Sequence, residues 1–201
     1  MSPIQRITTG TIVLFALVLP IQPALAHESD SLALGFQGGF LHPLAGLDHL
    51  LAMVAVGIWG AFLGRPLVYL LPIIFPAVMA FGGVLAMAGM PLPPVEVGIA
   101  LSVLVLGLSI LFRWRPPVWL AALIVALFGL FHGYAHGLEL PSMANPVSFS
   151  LGFVIATGLL HVAGIALGLL RKWGIGEQVL RAAAAVIAIA GLWFLVAAAG
   201  G

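Results

Sequence analysis

The chain is expected to fold as an all-α bundle of six transmembrane helices behind a cleaved signal peptide. Three observations lead there. Hydrophobic residues make up 63% of the 201 positions and charged residues only 6%, against about 25% charged in a soluble domain. The apolar residues fall in blocks close to the ~20 that cross a bilayer. Proline, glycine and arginine punctuate the gaps between those blocks.

Residues 1–26 read as the signal peptide. Arg6 supplies a positive start, Ile12 to Leu19 a short apolar run, and Ala24-Leu25-Ala26 a small-x-small cleavage site. An uncleaved first helix is the alternative, but the run is shorter than the roughly 18 apolar residues a span needs. Cleavage leaves a transmembrane domain over 27–201 that begins at His27. Spans are expected near 43–63, 67–89, 95–112, 117–138, 147–170 and 178–199. The turns between them are short, so sequence neighbours should be antiparallel and adjacent. Gly129, Gly133 and Gly137, Gly60 and Gly64, and Gly164 and Gly168 are small-xxx-small pairs that read as close helix packing.

Charge orients the bundle. With the mature N-terminus outside, alternation puts Arg65, Arg113, Arg115, Arg171, Lys172 and Arg181 at cytoplasmic ends and no Lys or Arg on an outer loop, as the positive-inside rule requires. Both mature termini then lie on the periplasmic side of a bacterial inner membrane. Glu28, Asp30, Asp48, Glu96 and Glu139 fall in the outer half, a field that concentrates cations there. There is no cysteine, hence no disulfide, thiolate metal site or cysteine nucleophile. No basic-aromatic patch suits nucleic acid, and no Walker A sequence or ATPase domain is present. The lipid bilayer is an expected partner, with a homo-oligomer left open.

Titratable side chains cost roughly 2.5–3.5 kcal/mol each at a helix centre in lipid, so those near the spans are the candidates for function. His42, Asp48 and His49 open the first span. Pro43 suits a first helical position, placing His42 at the helix entrance, and the seven-residue spacing puts His42 and His49 on one face. Asp48 can ligate a metal or hold a histidine through its second nitrogen. In the fourth span His132, His136 and Glu139, at spacings of four and three, share one face. After orientation both clusters reach the same outer level, so a single cavity holding His42, Asp48, His49, His132 and His136 is expected, with Glu139 and Glu96 at its rim. Imidazole with carboxylate is a ligand set for a divalent transition metal: Ni, Co, Zn or Cu. The structural alternative for both clusters is polar helix ends and a buried helix-gluing pair.

The secondary candidates each read two ways. Glu96 is a rim ligand or a carboxylate favoured by the macrodipole at the start of its helix. His161, alone in the fifth span, is a deeper relay on an ion path or a helix–helix hydrogen bond. His27 is an N-terminal chelator or an accident of cleavage, and Met53 a soft ligand or core filler.

Three runs carry a resemblance: Gly39-Phe-Leu-His-Pro-Leu-Ala-Gly-Leu-Asp-His49, Glu96-Val-Gly-Ile-Ala-Leu-Ser102 and Phe131-His-Gly-Tyr-Ala-His-Gly-Leu-Glu139, followed by His161 in the next span. In these the chain resembles the HupE/UreJ family of hydrogenase and urease accessory proteins. The resemblance implies a six-span nickel or cobalt permease, a transporter and not an enzyme, supplying metal to nickel enzymes. Two other readings stand beside it. An intramembrane zinc hydrolase would activate water at the metal, with Ser102 or Ser109 assisting, and a metal-sensing or accessory binding subunit would need a partner to carry its signal.

Overall fold

A computed structural model describes residues 34–139 and 145–200; the expected signal peptide and His27 lie outside the described residues. The elements are α1 Leu34–Ala45, α2 Leu47–Leu63, α3 Leu67–Met87, α4 Val95–Leu111, α5 Val118–Glu139, α6 Pro146–Leu169, a 3-10 turn Leu170–Lys172, and α7 Gly176–Gly200. The described residues hold no strand.

α3, α5, α6 (run on through the 3-10 turn) and α7 are long and apolar enough to cross a membrane, and α1 with α2 would make a fifth span broken by a 79° bend. α4 is a 17-residue apolar helix, about 25 Å at 1.5 Å per residue. Tyr69, Ile73, Val84, Leu123, Val162 and Trp193 are exposed on the outside of the bundle. In water that surface would drive aggregation; in a bilayer it faces lipid. The chain is an all-helical, multi-pass membrane protein. The six-span count needs α4 and the bent pair each to cross.

The first span differs from the sequence expectation. It does not run unbroken from 43. Gly46 adopts φ −84° and ψ 111°, an extended conformation that ends one helix and starts the next. Pro43 therefore lies inside α1, and His42 is not at a helix entrance. The shared-face argument for His42 and His49 fails because the helix it assumed is bent between them.

The pairing order also differs. The most extensive contacts are α3·α5, α4·α7 and α2·α6, each of which skips sequence neighbours. Glycine lies in the contact of all three. A Cβ on Gly129, Gly133 or Gly137 would collide with the backbone of Phe75, Met79 or Gly83 respectively. The register climbs together on both helices, so α3 and α5 run parallel with touching backbones. Gly164 likewise meets Val54 and Gly57, and Gly168 meets Ile58 and Ala61, so α2 and α6 are parallel too. Gly107 against Ala188 and Gly191 against Leu104 make α4·α7 antiparallel. Gly60 and Gly64 are not a packing pair: Gly60 lies against the start of α3, while Gly64 has φ +81° and turns the chain.

Local signals close the helices. Asn145 caps α6, its side chain accepting from the Ser148 N–H at 2.9 Å, with Pro146 next in line. Gly89 and Arg113 occupy left-handed positions after α3 and α4, with φ 69° and 57°. There the N–H of Met90 reaches Leu85 O and that of Trp114 reaches Ser109 O, satisfying terminal carbonyls. Pro72 and Pro76 lie within α3. Each lacks the N–H that would bond four residues back, so the carbonyls of Val68 and Pro72 lose their helical donors. Such breaks are tolerated in membrane helices where neighbouring groups serve the freed atoms.

The cationic end is assembled as the charge pattern implies. Arg113 pairs with Glu177 at 3.5 Å. The guanidinium groups of Arg115 and Arg171 lie 4.5 and 5.8 Å from the Phe62 ring centre. Trp59 stacks on Trp114 and donates from Nε1 to its carbonyl at 3.2 Å. This plug closes the basic end of α2, and the core runs from it along Val56, Met53 and Phe75. Met53 is fully buried there, as core filler would be.

Candidate metal centre

Four imidazoles meet at the other end of the bundle. The ring centres of His42 and His136 are 4.8 Å apart, those of His49 and His136 4.5 Å, and those of His49 and His132 4.5 Å. The separate sequence clusters thus form one continuous group. His42 comes from α1, Asp48 and His49 from the first turn of α2, and His132, His136 and Glu139 from the last turns of α5.

The outer part is a compact triad. His42, His136 and Glu139 each offer one ligand atom, all within 4.8 Å of one another. Nε2 of His42 is 3.3 Å from Oε2 of Glu139, and Nδ1 of His136 is 3.5 Å from it. Glu139 closes the C-terminal end of α5, where the helix dipole disfavours a carboxylate. A cation held beside it would offset that penalty.

Behind the triad stand His49 and His132, each oriented by a partner. Asp48 Oδ1 accepts from the His49 backbone N–H at 2.8 Å and lies 2.9 Å from Nδ1 of the same residue. With the proton on Nδ1, the Nε2 lone pair is free, and Nε2 is buried with no hydrogen-bond partner among the described residues. Asp48 thereby holds the histidine as a second carboxylate does behind many metal-bound imidazoles. Ser102 does the same for His132. Its hydroxyl donates to Ile99 O at 2.6 Å. A hydroxyl has one proton, so at 2.9 Å from His132 Nε2 it must accept. The proton then sits on Nε2 and the lone pair on Nδ1, which is buried and likewise unpartnered among the described residues.

Gly46 makes the first arrangement possible. A Cβ there would stand 3.1 Å from Asp48 Oδ1 and 3.4 Å from His49 Nδ1, tighter than side chains tolerate without shifting. The break that the sequence reading missed is thus what lets Asp48 and His49 fold back over the start of α2.

The remaining candidates fall elsewhere. Glu96, exposed in the first turn of α4, is outside the triad. It faces Asp48 across a groove of about 330 Å³ lined also by Trp193 and Phe194. His161 is fully buried deeper in the bundle, against Phe75. Phe75 and Phe153 wall the cluster: Phe75 lies 5.3 Å from the His132 ring and Phe153 4.4 Å from the His136 ring. Aromatic residues are common in spans and gave no signal in the sequence. Ser102 does, as a hydroxyl inside an apolar helix that ends the Glu96–Ser102 run, but nothing in the sequence points to its hold on His132. The proton of Ser102 and that of Ser109, which donates to Val105 O at 2.6 Å, are both committed to helix carbonyls.

The family model described as HupE / UreJ protein matches residues 15–194. Protein HupE of Rhizobium leguminosarum bv. viciae is 46% identical over 193 residues, covering 96% of this chain and 98% of that protein. No solved structure matches. Both the family model and this relative match over nearly the whole length: the chain belongs to the HupE/UreJ family.

Proposed function

We propose that this protein is a permease that moves a divalent transition metal inward across the bacterial inner membrane, nickel first and cobalt second, to supply nickel-enzyme maturation. The observation that carries this reading is the convergence of His42, His136 and Glu139, with ligand atoms within 4.8 Å, at the end of the bundle opposite the arginines. The choice of nickel rests on the family, because affinity order alone favours Cu²⁺ over Ni²⁺.

In this reading the ion is substrate. The acidic outer end, Glu96 and Asp48 included, raises its local concentration. The triad of His42, His136 and Glu139 exchanges water for nitrogen and oxygen. The free Nε2 of His49 and Nδ1 of His132 take it next, one ring contact at a time. Asp48 and Ser102 contribute by keeping the lone pairs of those two rings free and aimed. Glu139 supplies charge compensation that neutral imidazoles lack. Six crossings place both mature termini in the periplasm, which a periplasm-active reporter fused after residue 201 would register; a cytoplasm-active result would invert the topology.

The test is Ni²⁺ entry into liposomes holding the purified protein and an internal metal-quenched dye. Saturable uptake well above protein-free vesicles is expected. Tight binding without entry would favour an accessory binding subunit, and turnover of lipid or peptide by the metal-loaded protein would favour a hydrolase.

A further inference from the structure

His161 is a fully buried residue whose two ring nitrogens both lack a hydrogen-bond partner among the described residues. Leaving a buried polar atom unpaired costs about 1–3 kcal/mol, so its persistence at this position asks for an explanation. Thr157, one turn away on the same face of α6, is also fully buried with an unpartnered hydroxyl.

The third group comes from α3. Pro76 has no N–H to give, so the carbonyl of Pro72, four residues back, has lost its helical donor. That carbonyl lies near enough to the His161 ring to act on it, although neither ring nitrogen reaches a partner at full hydrogen-bond geometry among the described residues. Freed carbonyls of broken membrane helices are a recurrent source of cation ligands. The imidazole and the carbonyl therefore adjoin, with the Thr157 hydroxyl one turn away on the same face of α6, apart from the outer cluster.

Its position continues the line of the histidines. Phe75 lies between two of them, its ring centre 5.3 Å from His132 and 5.6 Å from His161. Phe153 packs on the outer cluster, and His161 lies two turns further along α6, roughly 12 Å deeper by helical rise. The level is fixed rigidly, because Gly57 and Gly164 bring the backbones of α2 and α6 into contact beside the His161 carbonyl.

We infer that His161, Thr157 and the Pro72 carbonyl form a second, deeper cation station, separated from the outer histidines by the ring of Phe75. It takes a partly dehydrated divalent transition metal that prefers nitrogen over oxygen. The station rests on the transport reading above and adds to it a resting place between the outer site and the basic plug.

Two variants test it in reconstituted vesicles. His161→Ala should slow Ni²⁺ entry at least tenfold while equilibrium binding at the outer site stays within twofold of wild type. The chain has no cysteine, so H161C supplies a unique thiol whose alkylation by N-ethylmaleimide can be timed. Cd²⁺ or Ni²⁺ should slow that alkylation at least tenfold, and retained outer-site binding by the same sample shows that it is folded. A wild-type entry rate in His161→Ala, or equal loss of entry and outer binding, overturns the station. So does alkylation of H161C that is indifferent to metal while the outer site is loaded. Wild-type vesicles that neither bind nor admit Ni²⁺ would instead overturn the transport reading itself.

Discussion

The imidazoles of His49 and His132 meet edge to face with ring centres 4.5 Å apart, although α2 and α5 are not one of the extensive helix pairs. Each ring is held from behind, by Asp48 on one side and Ser102 on the other. Each keeps one buried nitrogen that has no hydrogen-bond partner among the described residues.

Removing a ligand from the outer triad should be the most damaging single change. His136→Ala and His42→Ala are expected to weaken metal binding by more than the roughly 10–100-fold typical of supporting residues and to abolish uptake. His49→Ala should abolish uptake as well. Titration of Ni²⁺ into purified protein, beside size-exclusion profiles that report folding, checks this. Wild-type affinity in His136→Ala would remove the triad from the metal path.

Asp48→Asn keeps shape but removes charge, and its amide can donate to Nδ1 of His49 instead of accepting from it. The lone pair then turns away from the cluster. Affinity should fall about 10–100-fold with little change in thermal stability. An affinity unchanged from wild type would show that Asp48 does not set the orientation of His49.

Protons and metal compete for the same imidazole lone pairs. An unperturbed imidazole titrates near about 6.5, and metal is bound by the neutral form, so binding releases protons. Lower pH therefore opposes loading. Uptake into vesicles clamped at constant internal pH should fall as external pH goes from about 7.5 to about 5.5. A flat profile across that window would point to a rate limit other than loading of the histidines.

Gly133→Ala tests the α3·α5 contact. The added methyl would overlap the Met79 carbonyl, forcing the two backbones apart at a cost of about 1–3 kcal/mol. Gly158→Ala meets nothing within 4 Å and serves as the control. Melting followed in detergent should show a clear drop for the first and none for the second.

Much of the centre was legible because the bilayer makes polar side chains conspicuous. His42, Asp48, His49, His132, His136 and Glu139 stand out against apolar neighbours, and the charge bias brings them to one level. The spacing within α5 was sufficient to align its three residues. The break at Gly46 was not legible, because Pro43 alone reads equally well as a helix start. The pairing order was also hidden: short turns constrain which helices can be neighbours but not which pack most closely, and that choice was made by glycine steps on helices distant in the chain. The roles of Asp48 and Ser102 in choosing ring tautomers depend on single hydrogen bonds that no spacing reveals.

The glycine contacts tie α2 to α6 and α3 to α5 backbone against backbone. Sliding within either couple meets main chain immediately, so each behaves as a stiff two-helix blade. His49 rides on the first blade, and His132 and His136 ride on the second. The cluster is therefore built across the seam between these two blades. Any hinge that parts the blades lengthens the His49–His132 separation and loosens whatever those rings hold, so grip and opening are the same coordinate.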